Sequence, residues 1–342
     1  MHAAVLHGPR DVRTEKRADL TPGAGEAVVQ VFASGLCGTD FRIWNGDRAV
    51  RYPLIMGHEF IGEVVAVGPP LGSPVGPNVQ ALQPGQKVAV EPNYSCGACP
   101  LCREGNRNLC LSRTAIGIDV NGGFAEQACL PARCCWPAPA EVSDDQLLLA
   151  EPLAVVVRAV ARGEARPGES VAVLGVGALG LLAIQVLKAQ GLRVLAIGRT
   201  NHRENLARVL GADDFATSGA GGASEAARAF SGREGVDLVI ETAGTGVAVE
   251  QAFELTRPAG RVVLTGLPHE ASAVSFFGVV RRELRIIGSM IYQAEFPEAI
   301  RLLSMGTVRV DKLVTHRFPL ARVQEAFTAH RSPEAIKVTV VT

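Results

Sequence analysis

The sequence has no excess of charge of either sign and no long apolar run. Its 34 lysine and arginine residues balance 34 aspartate and glutamate residues, which argues against a polyanion such as nucleic acid as a partner. Every stretch of eighteen residues is broken by a charge or a glycine, so we expect no membrane span and no membrane partner. The first residues lack the apolar segment of a signal peptide. These absences predict a cytoplasmic protein whose thiols stay reduced.

The proportions of hydrophobic and charged residues are typical of a protein with two folded domains. Hydrophobic residues make up 47% and charged residues 20% of 342 residues, enough to bury cores in two domains of about 150 residues each. Short apolar runs between Gly and Pro in the first third are typical of strands. From Ser170 onward, β-branched runs alternate with helix-length segments, which indicates a parallel sheet covered on both faces. The C-terminal IKVTVVT predicts a strand that completes the first domain's sheet. We therefore predict an α/β protein with one domain at 1–147 plus 291–342 and a second at 148–290.

Four of the eight cysteines fall in one short segment, spaced C-x2-C-x2-C-x7-C. Four thiolates at this spacing can close around one tetrahedral Zn²⁺ and leave no position for substrate, so we predict a structural zinc lobe at 91–112. An iron–sulfur cluster is the alternative, but ferredoxins place Pro after the last cysteine, where this chain has Leu111. Cys129, Cys134 and Cys135 are predicted to be small buried hydrophobic residues. The four predicted ligands are Cys96, Cys99, Cys102 and Cys110.

A second metal site is predicted from two separate segments, SGLCGTDF and MGHEF. Cys37 lies in the first, and His58 and Glu59 lie in the second, just before an apolar strand. A catalytic zinc needs a few protein ligands and one open position, which a cysteine, a histidine and a carboxylate provide. His58 alone would be an ordinary loop residue. Together with Cys37 and the four-cysteine lobe, it favours a catalytic metal site.

The segment VAVLGVGALGLLAIQ places three glycines between a predicted strand and a predicted helix. Gly175 permits a tight turn, Gly177 lets the backbone approach a pyrophosphate, and Gly180 allows close packing of helix and strand. The N-terminus of the helix then faces the phosphates. We therefore predict a Rossmann-type doubly wound sheet that binds a dinucleotide.

The end of the next strand bears on the choice of cofactor. NAD-binding proteins carry Asp or Glu there for the ribose 2′-hydroxyl, whereas this chain has Gly198, Arg199 and Thr200. An arginine fork suits a 2′-phosphate, which favours NADP(H), and Arg203 could assist. The alternative is that Arg199 is a surface residue that stacks on the adenine, which would allow NAD(H) as well.

The chain resembles the zinc-dependent medium-chain alcohol dehydrogenases over essentially its whole length. The motifs C-G-T-D, G-H-E, the four-cysteine lobe, N-G-G-F-A-E, E-P-L-A and G-V-G-A-L-G occur in the order found in that family. The most similar branch contains sorbitol, arabinitol and threonine dehydrogenases. The resemblance implies a mostly β, GroES-like catalytic domain beside the Rossmann domain, and a homodimer or homotetramer. It also implies a reversible reaction in which a hydride passes from a secondary alcohol of polyol or sugar type to a nicotinamide cofactor, leaving a ketone.

The resemblance also implies roles for single residues. Cys37 and His58 would ligate the catalytic zinc, with Glu59 and Glu151 as candidate carboxylates, one ligating and the other contacting a water. Zinc would act on the substrate alcohol as a Lewis acid, and Thr39 would pass the alcohol proton onward. The other residues that the resemblance places beside the cofactor are Ala178, Leu179, Thr242, Ala243, Thr265, Gly266, Leu267, Ser289 and Met290.

Some positions depart from that branch and bear on the substrate. Arg42 stands where threonine dehydrogenases carry a histidine, and arginine cannot cycle a proton near neutral pH. Ile43 replaces an aromatic residue of sorbitol dehydrogenases, and Ile291 replaces the arginine of their Arg-Tyr pair, so that only Tyr292 is kept, where it could equally serve packing. We predict a polyol or sugar alcohol as substrate, with threonine, butanediol and aldoses as alternatives.

Two other classes of protein compete with this interpretation. A non-catalytic nucleotide-binding or redox-sensing protein on the same fold would be favoured if the catalytic ligands were missing. A zinc-free quinone or enone reductase would lack both the cysteine lobe and the G-H-E ligands. The sequence contains all of these residues, which favours the zinc enzyme.

Overall fold

A computed structural model describes residues 1–70, 82–219 and 221–342. Residues 71–81, which belong to a Pro- and Gly-rich segment for which the sequence predicts a surface loop, lie outside the described residues. The chain forms two compact units. The first consists of Met1–Glu151 and Val310–Thr342, and the second of Pro152–Arg309.

Strands dominate the first unit, and strands and helices alternate in the second. The strands are β1 (His2–Gly8), β2 (Asp11–Lys16), β3 (Glu26–Leu36), β4 (Leu54–Ile55), β5 (Glu59–Val67), β6 (Lys87–Val90), β7 (Asn93–Tyr94), β8 (Thr114–Ala115), β9 (Gln127–Pro131), β10 (Cys135–Pro137), β11 (Ser170–Leu174), β12 (Arg193–Gly198), β13 (Asp214–Thr217), β14 (Val236–Glu241), β15 (Thr256–Leu264), β16 (Arg285–Gly288), β17 (Val314–Pro319) and β18 (Lys337–Val341). The helices are α1 (Gly38–Asn45), α2 (Pro100–Arg103), α3 (Asp144–Leu148), α4 (Ala150–Gly163), α5 (Ala178–Ala189), α6 (Glu204–Val209), α7 (Gly222–Ser231), α8 (Gly246–Leu255), α9 (Phe276–Arg281), α10 (Phe296–Ser304) and α11 (Val323–Ala329). Within the described ranges, no helix combines the length and the apolar character that crossing a membrane requires.

The main sheet of the first unit has the order β10-β6-β5-β3-β18-β17, with β9 also paired to β3. β18 runs antiparallel to β3, with Val338 opposite Leu36, so the predicted role of the C-terminal strand is confirmed. Val29, Val31, Phe60 and Val64 are buried in a core between these strands. Smaller sheets, β2-β1-β4 and β7-β8, complete the unit.

The second unit contains one parallel six-stranded sheet in the order β13-β12-β11-β14-β15-β16. All residues of β11 and of β14 are buried, as expected for central strands with both faces covered. This confirms the prediction of a doubly wound parallel sheet. The strand order reverses its direction at β11, which is the point where such sheets bind their ligands.

The second unit extends further along the chain than the sequence suggested. The chain returns to the first unit at Val310 rather than at 291, and leaves it after Glu151 rather than after 147. Side-chain contacts hold the extra segment in the second unit, because Gln185 binds both the carbonyl oxygen and the N–H of Arg309, at 3.0 and 2.7 Å. Arg158 also forms an ion pair with Glu295, at 3.0 Å.

Candidate metal centres and cofactor site

Three predicted ligands of the catalytic metal meet in the first unit, and we call Cys37, His58 and Glu59 the Cys37 cluster. One ligand atom of each residue lies within 4.8 Å of the others. His58 and Glu59 are buried, at 7% and 2% exposure. A thiolate, an imidazole and a carboxylate are the donor types that Zn²⁺ uses in catalytic sites. The three side chains therefore fit a zinc ion.

Strand register brings the cluster together. Cys37 follows the last residue of β3, and Glu59 begins β5 directly opposite Gly35 of β3. A Cβ at Gly35 would lie 2.5 Å from a carboxylate oxygen of Glu59, so any larger residue there would displace the Glu59 side chain. The Cys37 cluster is thus built at the ends of paired strands, where neighbouring backbones fix the positions of its side chains.

Asp40 is a buried carboxylate that orients two of the ligands. It is fully buried, accepts a hydrogen bond from the Cys37 N–H at 2.9 Å, and has its other oxygen 3.2 Å from His58 Nδ1. Since a carboxylate only accepts, Nδ1 carries the proton and Nε2 is left for a metal. The sequence analysis quoted this residue in C-G-T-D but gave it no role. An Asp three residues after the residue that caps α1 was the available signal.

Lys337 is a second functional residue that the sequence analysis missed. It begins β18, and its Nζ lies 2.5 Å from Glu59 Oε2, with both side chains buried. Burial lowers the pKa of Lys337, but the negative charges of Glu59 and Cys37 outweigh burial and raise the pKa above its ordinary value. Lys337 is therefore a cation held against a candidate ligand. The 278 residues between the partners left no local signal for this contact.

The buried charges around the cluster also fit a divalent cation. With Cys37 deprotonated as a ligand must be, the acidic groups in and around the cluster outnumber the one lysine, Lys337; they are Cys37, Asp40, Glu59 and Glu151. Buried charge without compensation is costly. A dication bound by the cluster would offset most of this excess.

Other predicted residues of the first unit lie around the cluster. Glu151 is buried in the first turn of α4 and helps to raise the pKa of Lys337, but it is not part of the Cys37 cluster. Thr39 is half-buried in the first turn of α1. Arg42 is half-buried, whereas Ile43 is fully buried in the core, so Ile43 cannot present a side chain to a substrate.

The four-cysteine lobe has the geometry of a closed metal site. Its four sulfur atoms lie within 4.8 Å of one another, with Cys110 Sγ at 3.5 Å from Cys96 Sγ and at 3.9 Å from Cys99 Sγ. Backbone N–H groups point at the sulfurs, as in the 3.4 Å contact from Cys99 to Cys96 Sγ. Hydrogen bonds from the backbone of Leu111 and Cys102 lower the pKa of Cys99 to about 6, whereas burial raises the pKa of Cys102 to about 11. Cys99 thus favours the thiolate, the form that binds zinc, while Cys102 would lose its proton when a metal binds.

The glycine-rich turn has the structure that the sequence predicts. Gly175 has φ +102°, and a Cβ at Gly180 would lie 1.8 Å from the Gly175 carbonyl oxygen, so neither position admits a side chain. Gly177 caps α5, and the space where its Cβ would be is open. The Thr242 hydroxyl donates to carbonyl oxygens of the turn at 3.1 Å. The backbone before α5 is thus open to a phosphate group.

Buried polar atoms without partners line the carboxyl edge of the sheet. The Thr265 and Ser289 hydroxyls, after β15 and β16, have no hydrogen-bond partner among the described residues. One oxygen of Glu241, at the end of β14, also lacks one, while the other accepts from the N–H groups of Ala243 and Gly244 at 2.6 and 2.7 Å. Such atoms are costly unless a ligand or water satisfies them. They fit a cofactor with several hydrogen-bonding groups.

The residues after β12 are open to solvent. Arg199 and Thr200 are exposed, and the Arg199 guanidinium forms no ion pair with the described parts of the chain. Arg203 instead donates a hydrogen bond to the Val176 carbonyl oxygen of the glycine-rich turn, at 2.9 Å.

Tyr292 is buried and packs edge-on against Phe296, with ring centroids 5.6 Å apart.

Comparisons with known proteins agree with this architecture. The family model for the alcohol dehydrogenase GroES-like domain matches residues 23–140, and the model for the zinc-binding dehydrogenase matches residues 178–305. An L-threonine 3-dehydrogenase of Saccharopolyspora erythraea is 35% identical over 94% of this chain and 92% of its own length. A sorbitol dehydrogenase of Halalkalibacterium halodurans is 31% identical over 97% of this chain and 96% of its own.

Solved structures give the same result. A protein of Sinorhizobium meliloti 1021 assigned as a zinc-binding dehydrogenase and bound to NADP superposes with a TM-score of 0.91 at 30% identity, covering 100% of this chain and 99% of that one. An alcohol dehydrogenase (rspB) of E. coli CFT073 complexed with NADH gives a TM-score of 0.91 at 32% identity and the same coverage. The chain belongs to the zinc-dependent medium-chain alcohol dehydrogenase family. It is an oxidoreductase that uses zinc and a nicotinamide cofactor, with a GroES-like unit and a Rossmann unit.

Proposed function

We propose that this dehydrogenase oxidises a secondary hydroxyl of a polyol or sugar-type compound to a ketone, and catalyses the reverse reduction. The observation that carries the proposal is the convergence of Cys37, His58 and Glu59 within 4.8 Å in a buried site. The related sorbitol dehydrogenase supports the substrate class. L-Threonine is the second candidate, because a related enzyme at 35% identity acts on it. Arg42, at the position of the threonine dehydrogenase histidine, argues against threonine.

In this proposal the Cys37 cluster holds the catalytic zinc. When bound, zinc supplies Lewis acidity toward the substrate hydroxyl. Asp40 keeps His58 in the tautomer whose Nε2 can bind, and Lys337 neutralises the Glu59 oxygen that faces it. Glu151, beside this cluster, is left to contact a water or a substrate hydroxyl.

Thr39 has the proton-transfer role in the proposed mechanism. Its hydroxyl lies on the first turn of α1, two residues from Cys37, and can accept the substrate's hydroxyl proton while donating its own onward. Arg42 cannot receive that proton, because its guanidinium stays charged. Cys96, Cys99, Cys102 and Cys110 would hold a structural zinc with no place for substrate.

The proposed cofactor is NADP(H), bound across the carboxyl edge of the parallel sheet. Its pyrophosphate would lie at Gly177, Ala178 and Leu179, where α5 begins. Arg199 would bind the 2′-phosphate, since its guanidinium is exposed and unpaired within the described residues. The residues proposed to line the rest of the cofactor site are Thr242, Ala243, Thr265, Gly266, Leu267, Ser289 and Met290.

The enzyme is proposed to be a cytoplasmic homo-oligomer. All eight cysteines are free thiols, as in a reducing compartment. β16 is the last strand in the order of the parallel sheet, and α9 just before it exposes Phe276, Phe277 and Val280 at 71–75%. An apolar surface of this kind beside a sheet edge suits contact with a second copy.

The test is the formation of reduced nicotinamide from a panel of polyols, aldoses, L-threonine and butanediol, each with NAD⁺ and with NADP⁺. We expect turnover of a polyol or sugar and a preference for NADP⁺. The Cys37→Ser variant should keep its fold and lose turnover, while the matched control Cys129→Ser keeps both. A folded and fully active Cys37→Ser protein would contradict the assignment, and turnover of threonine alone would replace the polyol with the second candidate.

A further inference from the structure

An open groove of about 460 Å³ in the first unit contains two arginines to which the proposed reaction and cofactor site assign no role. It is lined by Arg48, Ala49, Val50, Arg51, Ile118 and Asp119, and we call it the arginine groove. Neither arginine side chain forms a hydrogen bond or an ion pair with residues 1–70, 82–219 or 221–342. Elsewhere on this surface arginines commonly pair with acids, as Arg13 does with Asp11 and Arg322 with Glu325.

One wall of the groove is attached to the helix that begins at Cys37. Gly46 ends α1 with φ +89°, and the N–H groups of Asp47 and Arg48 then donate to the Arg42 carbonyl oxygen at 2.9 and 3.2 Å. An eight-residue helix spans about 12 Å. Arg48 thus follows α1 at about one helix length from Cys37, a separation that a substrate several carbons long and an extended arginine side chain could span together.

A second part of the groove, formed by Ile118 and Asp119, follows a turn that contacts the backbone of the His58 segment. A Cβ on Gly117 would be 2.4 Å from the Gly57 carbonyl oxygen and 3.0 Å from the His58 nitrogen, so this turn touches the backbone of the ligand segment. Ile118, the next residue, lines the groove. The turn is fixed internally, because the Asp119 carboxylate accepts from the Ala115 N–H at 2.8 Å. The groove is therefore linked to the Cys37 cluster on two sides, through α1, which begins after Cys37, and through the turn at Gly117, which contacts the backbone of Gly57 and His58.

The chemistry of the lining defines a ligand. Two guanidiniums against one carboxylate, Asp119, leave the groove with a net positive charge, and guanidinium forks match carboxylates and phosphates. The Asp119 oxygens can accept hydrogen bonds from hydroxyl groups. Val50 and Ile118 pack against the apolar core and hold the two walls in place.

We propose that the substrate is a polyhydroxy compound with an anionic end, a carboxylate or a phosphate monoester, and that Arg48 and Arg51 bind this end while a secondary hydroxyl is oxidised at the Cys37 cluster. This deepens the proposed function and rests on it. Neutral polyols of the same carbon skeleton are then poor substrates, because they leave both arginines without a partner. Arg48 and Arg51 determine specificity and take no part in hydride or proton transfer.

The test compares matched compounds on the zinc-loaded enzyme. Six-carbon alditols, the corresponding aldonates and alditol 1-phosphates are assayed with both cofactors, and kcat/KM is measured at low and high ionic strength. We expect a preference for one anionic series, reduced by salt. Arg48→Gln and Arg51→Gln should each lower kcat/KM for the anionic substrate roughly 10- to 100-fold, the range for a charge-assisted hydrogen bond. The same variants should change the neutral alditol less than twofold, and the control Arg13→Gln should change neither.

A second measurement does not depend on turnover. Calorimetric titration of the same anionic compounds into the zinc-loaded enzyme should give a dissociation constant that rises by a similar factor in both arginine variants. Preference for aldonates identifies a carboxylate, and preference for the phosphates identifies a phosphate monoester. Equal or better turnover of neutral alditols, or arginine variants that bind and oxidise anions normally, would overturn the anionic substrate and leave the polyol proposal standing. Failure of all three series in turnover, with no arginine-dependent binding, would overturn both.

Discussion

Replacing Asp40 with asparagine removes one negative charge and one acceptor from the contacts that orient Cys37 and His58. An asparagine side chain has the same shape but only one oxygen. If this oxygen faces His58, the amide NH₂ faces the Cys37 N–H, and two donors meet. If the oxygen faces the Cys37 N–H, the NH₂ faces His58 Nδ1, and the imidazole proton has to move to Nε2. The second arrangement blocks the nitrogen that binds the metal.

The expected magnitude follows from both arrangements, because the first leaves the buried Cys37 N–H without an acceptor and the second removes the partner that orients His58. A buried donor left without an acceptor costs about 1–3 kcal/mol. Loss of a partner that orients a metal ligand typically lowers metal affinity 10- to 100-fold, which corresponds to about 1.4–2.8 kcal/mol. The two estimates agree. We therefore expect Asp40→Asn to weaken catalytic zinc binding by this factor and to lower kcat/KM, with zinc at the four-cysteine lobe retained.

The assay is titration of the zinc-loaded enzyme with a chromophoric chelator, which resolves the two zinc ions by affinity, together with urea unfolding. Asp213→Asn is the matched control, because Asp213 also accepts from a backbone N–H (Val194, 2.7 Å) and contacts a cation (Lys188, 2.9 Å). The control should lose less stability, because the Asp213 side chain is 38% exposed, and it should keep both zinc ions. If Asp40→Asn binds zinc as tightly as the unchanged enzyme, the reasoning about His58 orientation is wrong.

Three further predictions concern other sites. Lys337→Met leaves Glu59 as a buried carboxylate without its partner, and we expect a loss of roughly 3–5 kcal/mol in the free energy of unfolding measured in urea; an unchanged midpoint would refute the ion pair's importance. Arg199→Gln should raise the dissociation constant for NADPH at least roughly tenfold in fluorescence titration and leave NADH unchanged, whereas equal effects on both cofactors would contradict a 2′-phosphate contact. Cys96→Ser should release one zinc per chain, detected by metal analysis, and lower the melting temperature; Cys129→Ser is the control that should keep both metals.

Features built from neighbouring residues could be predicted from the sequence. The glycine-rich turn joins β11 to α5 within a few residues, and the four cysteines of the lobe lie in one segment. The spacing of residues along the chain was therefore enough to predict both structures. The Cys37 cluster joins two separate segments, and the sequence connected them through their donor types together with the four-cysteine lobe. Asp40 was part of the quoted C-G-T-D motif, but its role could not be predicted, because the sequence does not reveal that its side chain turns toward His58.

The boundary between the two units could not be predicted for a similar reason. α10 is amphipathic, with Phe296, Ala299, Ile300 and Leu303 buried, and an apolar helix face can pack against either unit equally well. Its assignment depends on distant contacts such as that of Gln185 with Arg309. These contacts have no periodic pattern. Local patterns predict the elements, but the partners that hold α10 appear only in three dimensions.

The register of three strands explains how distant residues form one site. β5, β3 and β18 lie side by side, with Glu59 opposite Gly35, and Val338 opposite Leu36. Glu59 and Lys337 therefore meet across the end of β3, from which Cys37 continues. A slip of one residue between β3 and either neighbour would turn Glu59 or Lys337 to the opposite face of the sheet. The proposed metal site would therefore depend on the packing of the whole first unit, including its C-terminal strand, and we expect folding and metal binding to be coupled because each fixes the same strand ends.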